Sequence, residues 1–192
     1  MRTARRLRHA LVLTLLLALA ACRPTLFGRT SGGSASSVWR TYATGDGALS
    51  VSYPGTWKIV GTRPQSVAFN AGKGVDVRVA LESEGSEAGQ SQEQVLAGML
   101  SQAEDAYAKA GRRVEVRGRQ AWLGQGYVWH ELHYLAMPSD GGKPLYCIDL
   151  LAFPPSGGRL TIHFETPTST PPGDETLKAL NRLAKSVRTG AS

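Results

Sequence analysis

The sequence predicts an α+β fold, an antiparallel β-sheet flanked by helices. Three observations carry that reading. Short runs that alternate apolar and polar residues recur between Gly- and Pro-rich turns. Two segments, 91–110 and 174–188, place apolar residues at helical spacing. The first of these separates two groups of strands and the second follows them, an order that suits helices packed on an antiparallel sheet.

Taken in order, 38–42 is a first strand. Leu49, Val51 and Tyr53 alternate with Ser50 and Ser52, as in a half-buried strand. Pro54-Gly55 turns the chain, and 57–60 is extended again. Residues 66–70 and 75–81 are two more strands around Ala71-Gly72-Lys73-Gly74. The helix over 91–110 opens on Ser91 with Gln94 three residues on, a capping box. Its stripe is Val95, Leu96, Met99, Leu100, Ala103, Ala106 and Tyr107, read as core filling, and Gly111 ends it. Four strands follow as a meander over 113–122, 127–137, 143–153 and 159–166, joined by Gly- and Pro-rich turns. Asp174 opens the last helix, with Leu177, Leu180, Leu183, Ala184 and Val187 on one face. Lys185 and Arg188 lie near its end, where cations suit the helix dipole.

The opening from Gly47 to Val60, with Tyr53-Pro54 and Trp57, resembles that of PsbP-like and Mog-type proteins, and so does the closing Leu183-Ala-Lys-Ser-Val187. The likeness spans most of 38–189. It implies their fold, an α/β/α sandwich with a central antiparallel sheet, and it carries no catalytic motif. Tyr53, Pro54 and Trp57 are read as turn and core residues.

The N-terminus is an address. Arg2, Arg5, Arg6 and Arg8 precede the apolar stretch 10–21, which suits a secretory signal and is too short to span a bilayer. Leu19-Ala20-Ala21-Cys22 resembles the lipobox of bacterial lipoproteins. That resemblance implies a signal peptide over 1–21 and a covalent lipid on Cys22, the cofactor-like group expected here. Arg23 in place of Asp leans towards the outer membrane, facing the periplasm. Residues 23–37, rich in Gly and Ser, read as a flexible tether reaching roughly 20 Å. A single domain is expected over 38–189.

The 192 residues carry a net charge of +7, but without 1–21 the balance is 18 basic to 15 acidic. That is too mild for a nucleic-acid partner. Two cysteines build no disulfide framework.

In the meander, even positions such as Val128, Leu132, Tyr134, Tyr146, Ile148, Leu150, Leu160, Ile162 and Phe164 read as the core face. That parity sets Ile148 beside Leu132 and Phe164. The odd face then gathers two rows, Arg119-Glu131-Asp149-His163 and Arg117-His133-Cys147-Glu165. We read it as a charge-paired sheet surface. The alternative is a metal or catalytic site using Glu131, His133, Cys147, Asp149, His163 and Glu165, since carboxylate, imidazole and thiol are the ligands of zinc and copper. No His-x-His, Cys-x-x-Cys or His-Glu-x-x-His pattern supports it. His130 reads as a buried core histidine, Cys147 as an inert thiol, and Arg112, Arg113, Arg117 and Arg119 as a solvated basic stretch.

The expected role is therefore a membrane-anchored, non-catalytic binding or assembly module of the cell envelope. Its partners would be the membrane, through the lipid, and an unidentified envelope protein. The alternative is a small periplasmic enzyme or metal-binding protein.

Overall fold

In the computed structural model, which describes residues 38–82 and 89–190, the alternating runs pair into two antiparallel sheets. The expected signal peptide, Cys22 and the tether lie outside the described residues. In chain order the elements are β1 (Trp39–Ala43), β2 (Leu49–Pro54), β3 (Lys58–Arg63), β4 (Ser66–Gly72), β5 (Val75–Glu82), α1 (Gln92–Ala108), β6 (Arg112–Gly124), β7 (Tyr127–Pro138), β8 (Leu145–Ala152), β9 (Arg159–Thr166), α2 (Asp174–Ser186) and β10 (Arg188–Thr189). The large sheet runs β3-β4-β5-β9-β8-β7-β6, and a small one runs β1-β2-β10. The α+β class expected from the sequence is the fold observed.

Local chemistry accounts for the boundaries. The hairpin β6–β7 turns on Gln125 and Gly126, both with positive φ (60° and 84°), the mirror-image turn that matches strand twist. At the start of α1 the Gln94 amide donates to Ser91 Oγ at 3.2 Å, and the Ser91 amide donates to Gln94 Oε1 at 2.7 Å. This is the capping box read from the sequence, satisfying two otherwise orphaned donors. At the other end of the chain, Arg188 donates to the carbonyls of Lys185 and Val187, at 3.1 and 3.0 Å, neutralising the negative end of α2.

Both faces of the large sheet are covered over part of its width. On one face Val95, Leu96, Met99 and Ala103 of α1 pack with Leu132, Tyr134, Ala136, Cys147 and Leu151. On the other, Leu49, Val51 and Tyr53 of β2 and Leu180, Leu183 and Ala184 of α2 pack with Val77, Val79, Ile148, Leu150, Ile162 and Phe164. The Tyr53 and Trp57 rings stand 4.7 and 6.1 Å from Phe69, and the Trp57 amide bonds the Pro54 carbonyl at 2.9 Å. They are the turn and core residues expected. Burying each such side chain contributes about 1.5–3 kcal/mol. Cover by α1 stops short of the β3–β4–β5–β9 half of its face, where Asp76 and Arg78 stand exposed.

The structure corrects the parity read from the meander. β7 and β8 pair so that Leu132 faces Asp149 and His133 faces Ile148. Even positions of β7 therefore share a face with odd positions of β8 and β9. Ile148 does lie beside Phe164, as expected, but its other neighbour is His133 rather than Leu132. The physical reason is that β7 is buried on both sides: Trp129, His130, Glu131, Leu132, Tyr134, Leu135 and Ala136 are all enclosed. Alternation carries no facing signal in such a strand. A bulge between Val116 and Gly118 shifts the next register too. Arg119 faces Leu132, and Gln120 takes the place beside Glu131.

Candidate functional site

The six polar residues of the expected odd face fall into two groups on opposite sides of the sheet. Cys147, Asp149, His163 and Glu165 lie on the α1 side, and Glu131 and His133 on the α2 side. The single ligand set considered from the sequence therefore does not exist: the backbone of the sheet separates its two histidines. Among the described residues no three His, Cys, Asp or Glu side chains are grouped as metal ligands.

On the α1 side the groups form one continuous hydrogen-bonded chain. Tyr134 Oη donates to Asp149 Oδ2 at 2.9 Å. His163 reaches Asp149 Oδ1 through Nδ1 at 2.6 Å and Glu165 Oε2 through Nε2 at 3.4 Å. Tyr107 Oη donates to the same Glu165 oxygen at 3.1 Å and stands 3.2 Å from Cys147 Sγ. Burial disfavours the imidazolium, but the hydrogen bonds and charges of Asp149 and Glu165 outweigh it and raise the His163 pKa to about 9. The bond to His163 in turn holds the Glu165 carboxyl below its ordinary range, against the opposing pull of burial. Burial pushes the Cys147 thiol up to about 12 and raises both tyrosine hydroxyls. Such a thiol is no nucleophile near neutral pH. At this site an ion pair is held at one imidazole, and its proton stays there.

The second group is smaller. His133 contacts Glu131 through Nε2 and lies 3.2 Å from Tyr146 Oη through Nδ1. Trp122 Nε1 donates to the other Glu131 oxygen at 2.9 Å. Burial would raise the Glu131 carboxyl, yet the bonds and charge of His133, with those from Trp122 and Gln120, hold it below the usual carboxylate range. Trp122 stacks on Trp129 with centroids 5.7 Å apart.

Several participants were not singled out by the sequence for these roles. The helical stripe implies a core-filling Tyr107, and its ring does pack edge-on against Tyr134 while its hydroxyl joins the network. The alternation puts Tyr134 and Tyr146 on one core face, whereas the structure has Tyr134 on the α1 side and Tyr146 on the α2 side. Arg78, cross-strand neighbour of His163, carries no sequence signal for this site, because β5 and β9 meet only across α1 and three strands of intervening chain. The basic stretch of β6 is partly tied down: Arg112 donates to the carbonyls of Ala136 and Lys143, while Arg113 and Arg117 pair with Glu115.

No protein-family model matches the chain, and no curated protein is significantly similar to it. Solved structures do match. The solution structure of cyanobacterial PsbP from Synechocystis sp. PCC 6803 is similar with a TM-score of 0.56 at 20% identity, over 85% of this chain and 99% of that one. A mutant of the protein Mog1 is similar with a TM-score of 0.56 at 10% identity, over 80% of this chain and 96% of that one. At these identities the likeness is one of fold, and the described domain has the PsbP- and Mog-type architecture that its Tyr53-Pro54 and Trp57 opening implied.

Proposed function

We propose that this chain is a lipid-anchored, non-catalytic binding or assembly module of the bacterial cell envelope, held to the outer membrane through Cys22 and facing the periplasm. One observation carries the non-catalytic part. Cys147, whose thiol is held near 12, meets the Tyr107 hydroxyl and, among the described residues, no imidazole, while His163 is committed to the carboxylates of Asp149 and Glu165. A catalytic thiol instead needs a base within hydrogen-bond reach or a lowered pKa, and a general base needs a pKa near the working pH. The anchor rests on the Arg-rich start, the short apolar stretch and the Leu19-Ala-Ala-Cys22 sequence. Among the described residues no helix is long and apolar enough to cross a membrane. The likeness to PsbP and Mog1 adds a fold with no catalytic motif to carry over. Detergent phase partitioning of the wild type and Cys22→Ala tests the reading: the wild type enters the detergent phase and the variant stays in the aqueous one. Equal partitioning of the two would contradict it.

A further inference from the structure

A cleft of about 560 Å³ lies on the uncovered half of the sheet, against the flank of α1. Its floor is small: Ser66, Ala80 and Thr161 stand side by side in register on β4, β5 and β9. Its helical wall includes Ala103 and Ala106. These side chains leave open the room that larger ones would fill, and the volume is that of a small-molecule site.

The lining is cationic. Arg63, Arg78, Arg159 and His163 reach it, against the carboxylates of Glu82 and Asp149. Arg159 pairs with Glu82, and His163 with Asp149. Arg63 and Arg78 enter no ion pair among the described residues, so two guanidinium groups remain available. A planar guanidinium matches a carboxylate or phosphate through two parallel hydrogen bonds. Met99, Ala103 and Leu151 supply an apolar side to the same cleft.

We propose that this cleft binds a small organic anion, its carboxylate or phosphate held by Arg78 and Arg63 and its apolar body laid against Met99, Ala103 and Leu151. The proposal rests on the reading of the chain as a binding module and names a class of ligand for it. The imidazolium of His163, cross-strand from Arg78, adds positive charge without leaving its own partners.

The test is calorimetric titration of the full-length protein in nanodiscs with phenyl phosphate, benzoate and inorganic phosphate, against empty nanodiscs. At least one of the two aryl anions binds with one-to-one stoichiometry, and inorganic phosphate binds at least ten-fold more weakly. Arg78→Gln weakens the aryl anion ten-fold or more. Ala106→Trp, which fills the cleft from an exposed helical position and removes no charge, abolishes binding. No saturable binding of either aryl anion, equal binding of inorganic phosphate, or unchanged affinity in both variants would overturn the proposal. Phosphorus NMR of the phenyl phosphate sample separates the two claims. Release of inorganic phosphate would contradict the non-catalytic reading, whereas failure to bind would remove only the cleft.

Discussion

His163 on β9 and Asp149 on β8 face each other in register, with Nδ1 of the imidazole 2.6 Å from Oδ1 of the carboxylate. Glu165 and the Tyr107 hydroxyl on one side, and Tyr134 on the other, complete the surroundings, with Arg78 across the strand. The folded protein thus holds the His163 proton more tightly than the unfolded chain does. Its contribution to stability is fully present below the ordinary value of 6.5 and is lost as pH rises through about 9. Glu165 acts at the other end of the scale: its lowered pKa gives stability above 4.5 that is lost on acidification. The His163 side chain keeps 35% of its surface exposed, so screening reduces the effect. Urea unfolding between pH 6 and 9.5 is expected to show the wild type losing about 1 kcal/mol more than His163→Gln. Parallel curves for the two would show that the pair stores no such energy.

The Cys147 thiol, fully buried and held up to about 12, is expected to resist a disulfide-exchange reagent at pH 8 in the folded protein. In denaturant it reacts within the mixing time. Fast labelling of the native state would place a thiolate where the structure has a neutral thiol.

Leu132 and Ile148 lie on opposite faces of the large sheet and are both essentially inaccessible. Leu132→Ala and Ile148→Ala should each cost about 2–5 kcal/mol in denaturant unfolding. Ile148→Asp, which buries an unpaired charge, should prevent folding altogether. If Leu132→Ala costs little, α1 does not pack where the structure has it.

A zinc titration bears on the alternative role. His133 and His163 are divided by the sheet, and each already holds carboxylate partners. No stoichiometric zinc is expected in protein purified without chelator. Tight binding lost in a His133→Ala, His163→Ala double variant would restore the metal-site reading.

Much of this fold was legible in the sequence because its signals are local. The Ser91–Gln94 capping box, the Leu180-Leu183-Ala184 face of α2 and the Leu49-Val51-Tyr53 alternation each depend on a few adjacent residues, and all three are present. The candidate site was legible only in part. Asp149 with His163 and Cys147 with Glu165 were placed together, since the β8–β9 register follows the expected parity. Glu131 and His133 were placed with them wrongly, because a one-residue difference in the β7–β8 register moves a whole strand to the other face. β7 is buried on both sides, so its alternation offered nothing to detect that difference. The two-residue β10 and its pairing with β2 were missed for another reason: Arg188 and Thr189 meet Ser50 and Leu49 only through the folded chain. The Arg78–His163 neighbourhood is long-range in the same way.

The proposed envelope role depends on a lipid anchor at Cys22. Mass spectrometry of the N-terminal peptide from membrane-isolated protein tests this most directly. The account predicts a mature chain that begins at Cys22 and carries the mass of diacylglycerol, with or without a further acyl group. A mature chain that begins at any other residue, or an unmodified Cys22, would contradict it.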